Sequence, residues 1–368
     1  MEHDVTRIKV LHVSESACAG GAQNVMKQLV MGLSDFGFET MTALPDDGVL
    51  FSEFEDAGIE TFNLPIERLY DRRAGTVVES IIRRKGINIV HVHTPKAGML
   101  VRARAASAGA KVIMHVHGLG TLAHIRSGVL TPYALLKKKM LYTLERLSDR
   151  RTDHFIFVCR KDMMESEISN DISTLVYNGV DIGKWNYDDP PDTNTLIFPA
   201  RLSVQKDPAT LLLALQILVK RGFALKLLMP KIGDSAEQII KLVSKLSLQN
   251  FIEFIEPDED MKTAFKRASI TVLSSHWEGQ PISILEAMAA GRPVISTDIG
   301  GISETLGDCG LLVPRKNPEA LADAIALLLN EKEKRIELAR RARRRVEEHF
   351  PIQRMIQGVA EVYRKVLP

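Results

Sequence analysis

Short β-branched, apolar runs alternate along the chain with segments whose apolar positions recur every three or four residues. Ile8 to Val13, Glu39 to Ala43, Ile59 to Asn63, Ile89 to His93, Lys111 to His115 and Phe155 to Val158 predict strands. Between them, Ala22 to Leu33 carries Val25, Met26, Leu29, Val30 and Leu33 at helical spacing, and Ala97 to Ala108 follows Pro95 with a similar stripe. A strand and helix rhythm of this kind builds a parallel sheet covered by helices. The stretch 186–194 is polar, rich in proline and without a hydrophobic period, so a linker is expected over 186–195. It would separate a domain at 1–185 from one at 196–349.

A second alternation follows. Leu196 to Pro199, Ala224 to Met229, Phe251 to Ile255, Ile270 to Ser274, Pro293 to Thr297 and Gly310 to Val313 read as strands. Pro208 to Arg221 reads as a helix capped by Asp207 and closed by Gly222. Ser235 and Gln238 have capping-box spacing for a helix from Ala236 to about Leu246. Further helices are expected over Asp260 to Ala268 and from Pro318. The tail Ile352 to Val366 is amphipathic through Met355, Ile356, Val359, Val362, Tyr363 and Val366. The expected class is therefore α/β, with two doubly wound, Rossmann-like domains and a final helix at 350–368.

Composition removes several function classes. A chain of 368 residues with 45% hydrophobic content has the material for two full cores. Lys+Arg 48 against Asp+Glu 46 leaves +2, which argues against nucleic acid or another polyanion bound through bulk charge. Cys18, Cys159 and Cys309 are far apart and in no Cys-x-x-Cys spacing, so neither a disulfide framework nor a zinc site is indicated. On that cysteine usage a reducing cytoplasm is the expected location, and with no apolar run of spanning length and a polar N-terminus neither a transmembrane helix nor a signal peptide is expected. One basic amphipathic region, 130–151, places Leu136, Met140, Leu144 and Leu147 on a face ringed by lysine and arginine. That pattern suits an anionic membrane surface; a helix packed on the sheet with a basic exposed side is the alternative.

Candidate chemistry concentrates in His276 to Gly291. Pro281 suits a first helical position and Gly291 a helix stop, so Glu278 falls in the loop at a helix start and Glu286 on the helix body. Acids beside free backbone donors fit a phosphate ester that also carries hydroxyl groups, such as a sugar nucleotide. Arg201 and Lys206 lie in the loop after the second domain's first strand, where two cations can hold a diphosphate without a metal. Gly20 and Gly21 open the first helix, and Gly300 and Gly301 leave another strand; both pairs let phosphate approach backbone N–H groups. The Gly20 turn lacks Gly-x-Gly-x-x-Gly spacing, against a nicotinamide enzyme. His91 with His93, and His115 with His117, share faces by period two. Lacking a carboxylate in either triplet, they read as structural histidines rather than metal ligands, with His117 furthest toward the ligand crevice. The arginine run Arg340 to Arg345, flanked by Glu337, Glu347 and Glu348, reads as a solvated, ion-paired helix.

These motifs resemble the retaining glycosyltransferases of family four, which have the GT-B architecture of two Rossmann-like domains facing a crevice. The resemblance covers nearly the whole chain. It rests on Gly20-Gly21-Ala22, Tyr177-Asn178-Gly179-Val180-Asp181, Arg201 with Lys206, Glu278 to Glu286, Gly300-Gly301 and Gly310-Leu311-Leu312-Val313. By that similarity Arg201 and Lys206 would bind the donor diphosphate, Glu286 the ribose, Glu278 with Gly279 the donor sugar, and the Gly20-Gly21 loop would lie near the diphosphate. His117 would lie near the donor sugar and acceptor. No metal or other cofactor is implied, and the final helix would brace the first domain. Two departures fall where the base would bind: Leu228 to Gly233 lacks the usual Gly-x-Gly-Pro-like turn, and Glu256-Pro257 replaces a glycine. They leave UDP and GDP both open. His93-Thr94-Pro95-Lys96-Ala97-Gly98 is similar to members acting on lipid-linked sugars in bacterial surface glycan assembly.

The resemblance thus implies transfer of a hexose or N-acetylhexosamine from a UDP- or GDP-sugar to a polysaccharide or lipid-linked saccharide, at the cytoplasmic face of the membrane. A nucleotide-sugar epimerase on the same fold, and a catalytically silent nucleotide- or glycan-binding partner of a transferase, are the alternatives. The presence together of Arg201, Lys206, Glu278 and Glu286 argues against the silent partner, which has no need of the whole set.

Overall fold

The computed structural model describes residues 7–18, 20–66, 71–119, 132–256 and 260–367. The chain forms two compact units, Met1–Asn178 with Ile352–Pro368, and Gly179–Pro351.

The first unit holds a sheet of seven parallel strands. These are β1 (Ile8–Val13), β2 (Phe38–Leu44), β3 (Thr61–Asn63), β4 (Ile89–Val92), β5 (Lys111–Val116), β6 (His154–Phe157) and β7 (Ser173–Leu175). Their order is β3-β2-β1-β4-β5-β6-β7. The chain winds outward from β1 to β3, then returns to β4 on the other side. The reversal between β1 and β4 is a topological switch point, where open α/β sheets leave a crevice beyond the strand C-termini. The helices described are α1 (Gly21–Gly32), α2 (Val49–Asp56), α3 (Arg72–Lys85), α4 (Pro95–Ser107), α5 (Pro132–Asp149) and α6 (Arg160–Glu165). Of these, α2, α3 and α6, like β7, are absent from the sequence-based elements. For α3 the signals were present: Asp71 accepts from Arg73 N, and Gly86 ends the helix at φ +67°.

The second unit has six parallel strands: β8 (Thr195–Ile197), β9 (Lys226–Pro230), β10 (Ile252–Ile255), β11 (Ile270–Leu273), β12 (Val294–Thr297) and β13 (Gly310–Val313). Their order, β10-β9-β8-β11-β12-β13, puts the switch point between β8 and β11. Its helices are α7 (Pro208–Lys220), α8 (Ala236–Lys245), α9 (Met261–Arg267), α10 (Ile282–Ala289), α11 (Ile302–Leu306), α12 (Pro318–Asn330) and α13 (Lys332–His349). The last helix, α14 (Ile352–Val366), belongs to the first unit. It buries Met355, Ile356, Val359, Val362 and Tyr363, and Ile356 fills the space where Gly32 of α1 lacks a side chain.

Four sequence expectations are corrected. The segment 186–195 belongs with the second unit, and the division of the chain falls at Asn178–Gly179. Arginines hold the segment there: Arg292 donates to the Asp188 carbonyl at 2.8 Å, Arg340 to Asp189 at 2.7 Å and Arg335 to Asp192 at 2.8 Å. Composition registered the prolines but not these long-range partners. The arginine run is accordingly more than a solvated face, because Arg345 donates to the carbonyls of Thr305 and Glu304, both at 2.8 Å, and Arg343 to that of Trp185 at 2.8 Å. These are carbonyls that α11 and the chain before 186–195 would otherwise leave open. The Ser235 side chain makes no capping bond to α8; its backbone N–H donates instead to the Leu202 carbonyl at 2.9 Å. Pro281 is the cap of α10, with φ −72° and ψ 126°, and the helix begins at Ile282.

Candidate functional site

In the second unit the loops leaving β8 and β11 meet at the switch point. Asp207 takes the left-handed conformation at φ 46° and caps α7 through Thr210 N at 3.2 Å and Thr210 Oγ1 at 2.6 Å. From the β11 side, Ser274 Oγ donates to the Asp207 carbonyl at 2.7 Å and His276 N–H to the Gln205 carbonyl at 2.7 Å. These bonds fix both loops to one another, so the side chains between them hold their positions.

Lys206 and Glu278, 72 residues apart, form an ion pair on this scaffold. Glu278 is buried, and its Oε1 takes both the Lys206 ammonium and the Ser275 hydroxyl, the latter at 2.7 Å. Among the described residues its Oε2 has only a 3.4 Å contact with Gln205 Nε2, and Gln205 is held more firmly by the Trp277 carbonyl at 3.0 Å. Oε2 is therefore the oxygen left to accept from a ligand hydroxyl. Arg201 is exposed and makes no ion pair among the described residues. Glu286 is half-buried on α10 and its carboxylate accepts no hydrogen bond among them, and desolvation by burial pushes that carboxyl up to about 7. Asp207 also lies 3.4 Å from His276 Nδ1; burial lowers that imidazole and the carboxylate opposes the shift.

The glycines after β12 have a steric role. Gly300 has φ +51°, and a Cβ there would overlap the Glu278 carbonyl oxygen. Gly301 N–H donates to the Gly279 carbonyl at 2.9 Å. The β12 exit thus lies directly against Glu278 and Gly279, and only glycine permits it. Of the expected residues, the structure brings Lys206, Glu278, Gly279, Gly300 and Gly301 together. Gln205 and Ser275, the partners of Glu278, were missed; neither has a local sequence signature.

In the first unit the loops beyond β1 and β4 are laced in the same way. Glu15 N–H donates to Thr94 Oγ1 at 3.2 Å, and the Glu15 carboxylate accepts from Ala97 N–H at 3.0 Å in the first turn of α4. Gly20 caps α1 in extended backbone, and nothing stands within 4 Å of the Cβ position of Gly21. His91, His93, His115 and His117 do share one face, and His12, paired with His91 in the β1–β4 register, joins them. His12 was missed, although period two places it on one face with Val10 and Ile8. Burial lowers His12 and His117 to about 3, and burial with repulsion between the rings holds His91, His93 and His115 well below the usual histidine range. All five are neutral at pH 7. Ring nitrogens of His12, His91 and His93, and of His93, His115 and His117, lie within 4.8 Å of one another. His93, His115 and His117 line a cavity of about 150 Å³ with Arg102, Tyr142 and Asp149. Arg102 is buried there against Asp149 at 3.0 Å.

Helix α5 presents Leu136, Met140 and Leu147 of the expected face to solvent together with Tyr133, while Leu144 of that face is half-buried. The residues 130–131 at its start lie outside the described residues, as do Ala19 of the first glycine turn and Pro257 after β10.

Residues 19–184 match the family described as Glycosyltransferase Family 4, and residues 182–345 the family described as Glycosyl transferases group 1. The Escherichia coli UDP-Gal:alpha-D-GlcNAc-diphosphoundecaprenol alpha-1,3-galactosyltransferase is 22% identical over 99% of this chain and 98% of its own length. The D-inositol 3-phosphate glycosyltransferase of Frankia alni is 27% identical over 76% of this chain and 74% of its own. Among solved structures, Anabaena HepE in complex with UDP-glucose superposes with a TM-score of 0.82 at 18% identity, covering 97% of this chain and 100% of that one.

Proposed function

We propose that this chain, which belongs to the family-four glycosyltransferases of GT-B fold through the matches of both its halves, transfers a hexose or N-acetylhexosamine from a UDP-sugar to a lipid-linked or polysaccharide acceptor, with retention of configuration and without a metal. The observation that carries the reading is the Lys206–Glu278 pair at the second unit's switch point, with Arg201, which makes no ion pair among the described residues, in the same loop. As the bond to the sugar breaks, negative charge collects on the leaving diphosphate. Lys206 and Arg201 offset it, the part a divalent metal plays elsewhere. Glu278 Oε2 accepts from a donor-sugar hydroxyl, with Gly279 beside it, and Glu286 from the ribose hydroxyls. The Gly20-Gly21 turn and His117 belong to the first unit, where the ring of His117 stands at the cavity that would take the acceptor. UDP is chosen because the E. coli relative is named for a UDP-galactose donor and the Anabaena protein holds UDP-glucose; the lipid-linked acceptor follows the same E. coli name.

The test is transfer and calorimetric binding with UDP-sugars. Binding that Glu286→Ala weakens, with turnover unaffected by EDTA, supports the reading; absence of UDP-sugar binding overturns it, and release of a free epimer without acceptor assigns an epimerase instead.

Donor affinity will depend on pH through Glu286. Its folded carboxyl is raised to about 7, so the ionised acceptor form fills in as pH rises through 7. Scaling affinity by the ionised fraction, UDP-sugar binds about tenfold more weakly at pH 6 than above pH 8. Calorimetry across that range measures it, and Glu286→Gln removes the dependence.

No described helix is long and apolar enough to cross a membrane. The exposed Tyr133, Leu136, Met140 and Leu147, with Lys137 and Lys139 exposed beside them, support contact of α5 with the anionic cytoplasmic face, where a lipid-linked acceptor is held. A buried Leu or Met contributes about 1.5–3 kcal/mol, so Leu136→Ser with Met140→Ser cuts co-flotation with anionic vesicles by about tenfold or more. Wild-type protein that stays unbound rules the contact out.

A further inference from the structure

We propose that Tyr363 of the C-terminal helix fixes the tautomer of His117 through a hydrogen-bonded relay of His12 and His93, leaving His117 with Nε2–H and a free Nδ1 acceptor. The inference rests on the reading of His117 as an acceptor-side residue, and it concerns positioning residues only: Tyr363, His12 and His93 act through His117.

The rings form a continuous chain. Tyr363 Oη lies 2.5 Å from His91 Nδ1 and 3.5 Å from His12 Nε2. His12 Nδ1 lies 3.0 Å from His93 Nε2, and His93 Nδ1 lies 3.3 Å from His117 Nε2. A neutral imidazole has one N–H and one lone pair, so the orientation of any one bond dictates the next. Burial keeps every member of the chain neutral at pH 7 and holds the Tyr363 phenol well above its usual range, hence protonated.

The sense of the chain follows from its shortest contact. The phenol is the stronger acid of the pair and the imidazole nitrogen the stronger base, so this bond is O–H···N. Tyr363 therefore donates its one proton to His91 Nδ1. Its oxygen then offers only lone pairs to His12 Nε2, and that 3.5 Å contact is attractive only when this nitrogen carries hydrogen. His12 Nδ1 is left as an acceptor, so His93 Nε2 carries hydrogen and donates to it. His93 Nδ1 in turn accepts from His117 Nε2–H, and His117 Nδ1 remains a lone pair on a ring that lines the cavity. Run in reverse, the chain would put hydrogen on His117 Nδ1 and make it a donor there. His115 is the built-in comparison: it stacks on His117 at 4.2 Å, yet neither ring nitrogen has a hydrogen-bond partner among the described residues.

The experiment is two-bond proton–nitrogen correlation NMR on the full chain with ¹⁵N-labelled histidine, assigned through single His→Gln variants. His12, His93 and His117 should each show one tautomer with Nε2–H, and in Tyr363→Phe the His117 signal should divide between tautomers while His115 is unchanged. A wild-type His117 carrying hydrogen on Nδ1 overturns the proposal, as does a folded Tyr363→Phe protein whose His117 tautomer is unaltered. The wild-type spectrum decides the sense of the chain even if the variant fails to fold. No nucleotide or acceptor is present in the measurement, so a failed transferase reading and a failed relay give separate results.

Discussion

Lys206→Met lowers kcat/KM by about 10²–10³-fold, the typical loss when one preorganised charge at a developing oxyanion is removed. The variant also removes the cation from Glu278, whose carboxylate is buried and then keeps only Ser275 and the long Gln205 contact. Breaking a fully buried pair costs about 3–5 kcal/mol; Lys206 is 17% exposed, which places the cost below that range. The two effects separate in a double variant. Adding Glu278→Gln takes away the uncompensated charge, so Tm recovers toward wild type while turnover does not. Steady-state kinetics with a UDP-sugar and thermal unfolding measure both. A Lys206→Met enzyme retaining more than a tenth of wild-type kcat/KM contradicts the role given to this lysine, and a double variant that regains turnover shows the loss to be structural.

Gly300→Ala disrupts the second unit. At φ +51° a side chain already strains the backbone by about 1–2 kcal/mol, and here the added carbon would overlap the Glu278 carbonyl oxygen, which cannot rotate away. The β12 exit must then withdraw from Glu278 and Gly279, breaking the Gly301 N–H to Gly279 carbonyl bond of 2.9 Å. The combined cost is about 3 kcal/mol or more, a Tm loss of about 6–12 °C for a unit of this size. Turnover falls with it, because the displaced backbone carries Glu278. Gly21→Ala is the control: nothing stands within 4 Å of its Cβ position, so its Tm changes little. Calorimetry of both variants checks the pair, and an unchanged Gly300→Ala melting temperature would show that the loop yields without cost.

The candidate site was legible where chemistry is written locally. Glu278 and Glu286 bracket a helix start that Pro281 and Gly291 mark, and Arg201 with Lys206 sit just beyond a recognisable strand. Asp207 announced its cap and formed it. Local signals failed where a distant partner won. Ser235 has the spacing of a capping box, yet its N–H goes to Leu202 and its hydroxyl makes no cap. The prolines at 190 and 191 read as a linker, yet arginines more than a hundred residues away bind that segment into the second unit. Likewise His12 and Tyr363 carry no signature of their own, since a histidine in a strand and a tyrosine on a helix stripe are ordinary core residues until register and packing join them.

The sequence by itself determined that this protein is two α/β units of parallel strands, because the period of apolar residues depends only on neighbours a few positions away. It also determined which residue types gather at the strand exits, since glycine, proline and the acids flanking a helix start act within one turn of backbone. The tertiary structure decided the pairings: Lys206 with Glu278, Gly300 against the Glu278 carbonyl, Arg343 and Arg345 on open carbonyls, and the imidazole chain ending at Tyr363. Each joins groups from 22 to 351 positions apart. Strand order brings them together, and strand order is set by how the sheets bury their faces, which no local period encodes.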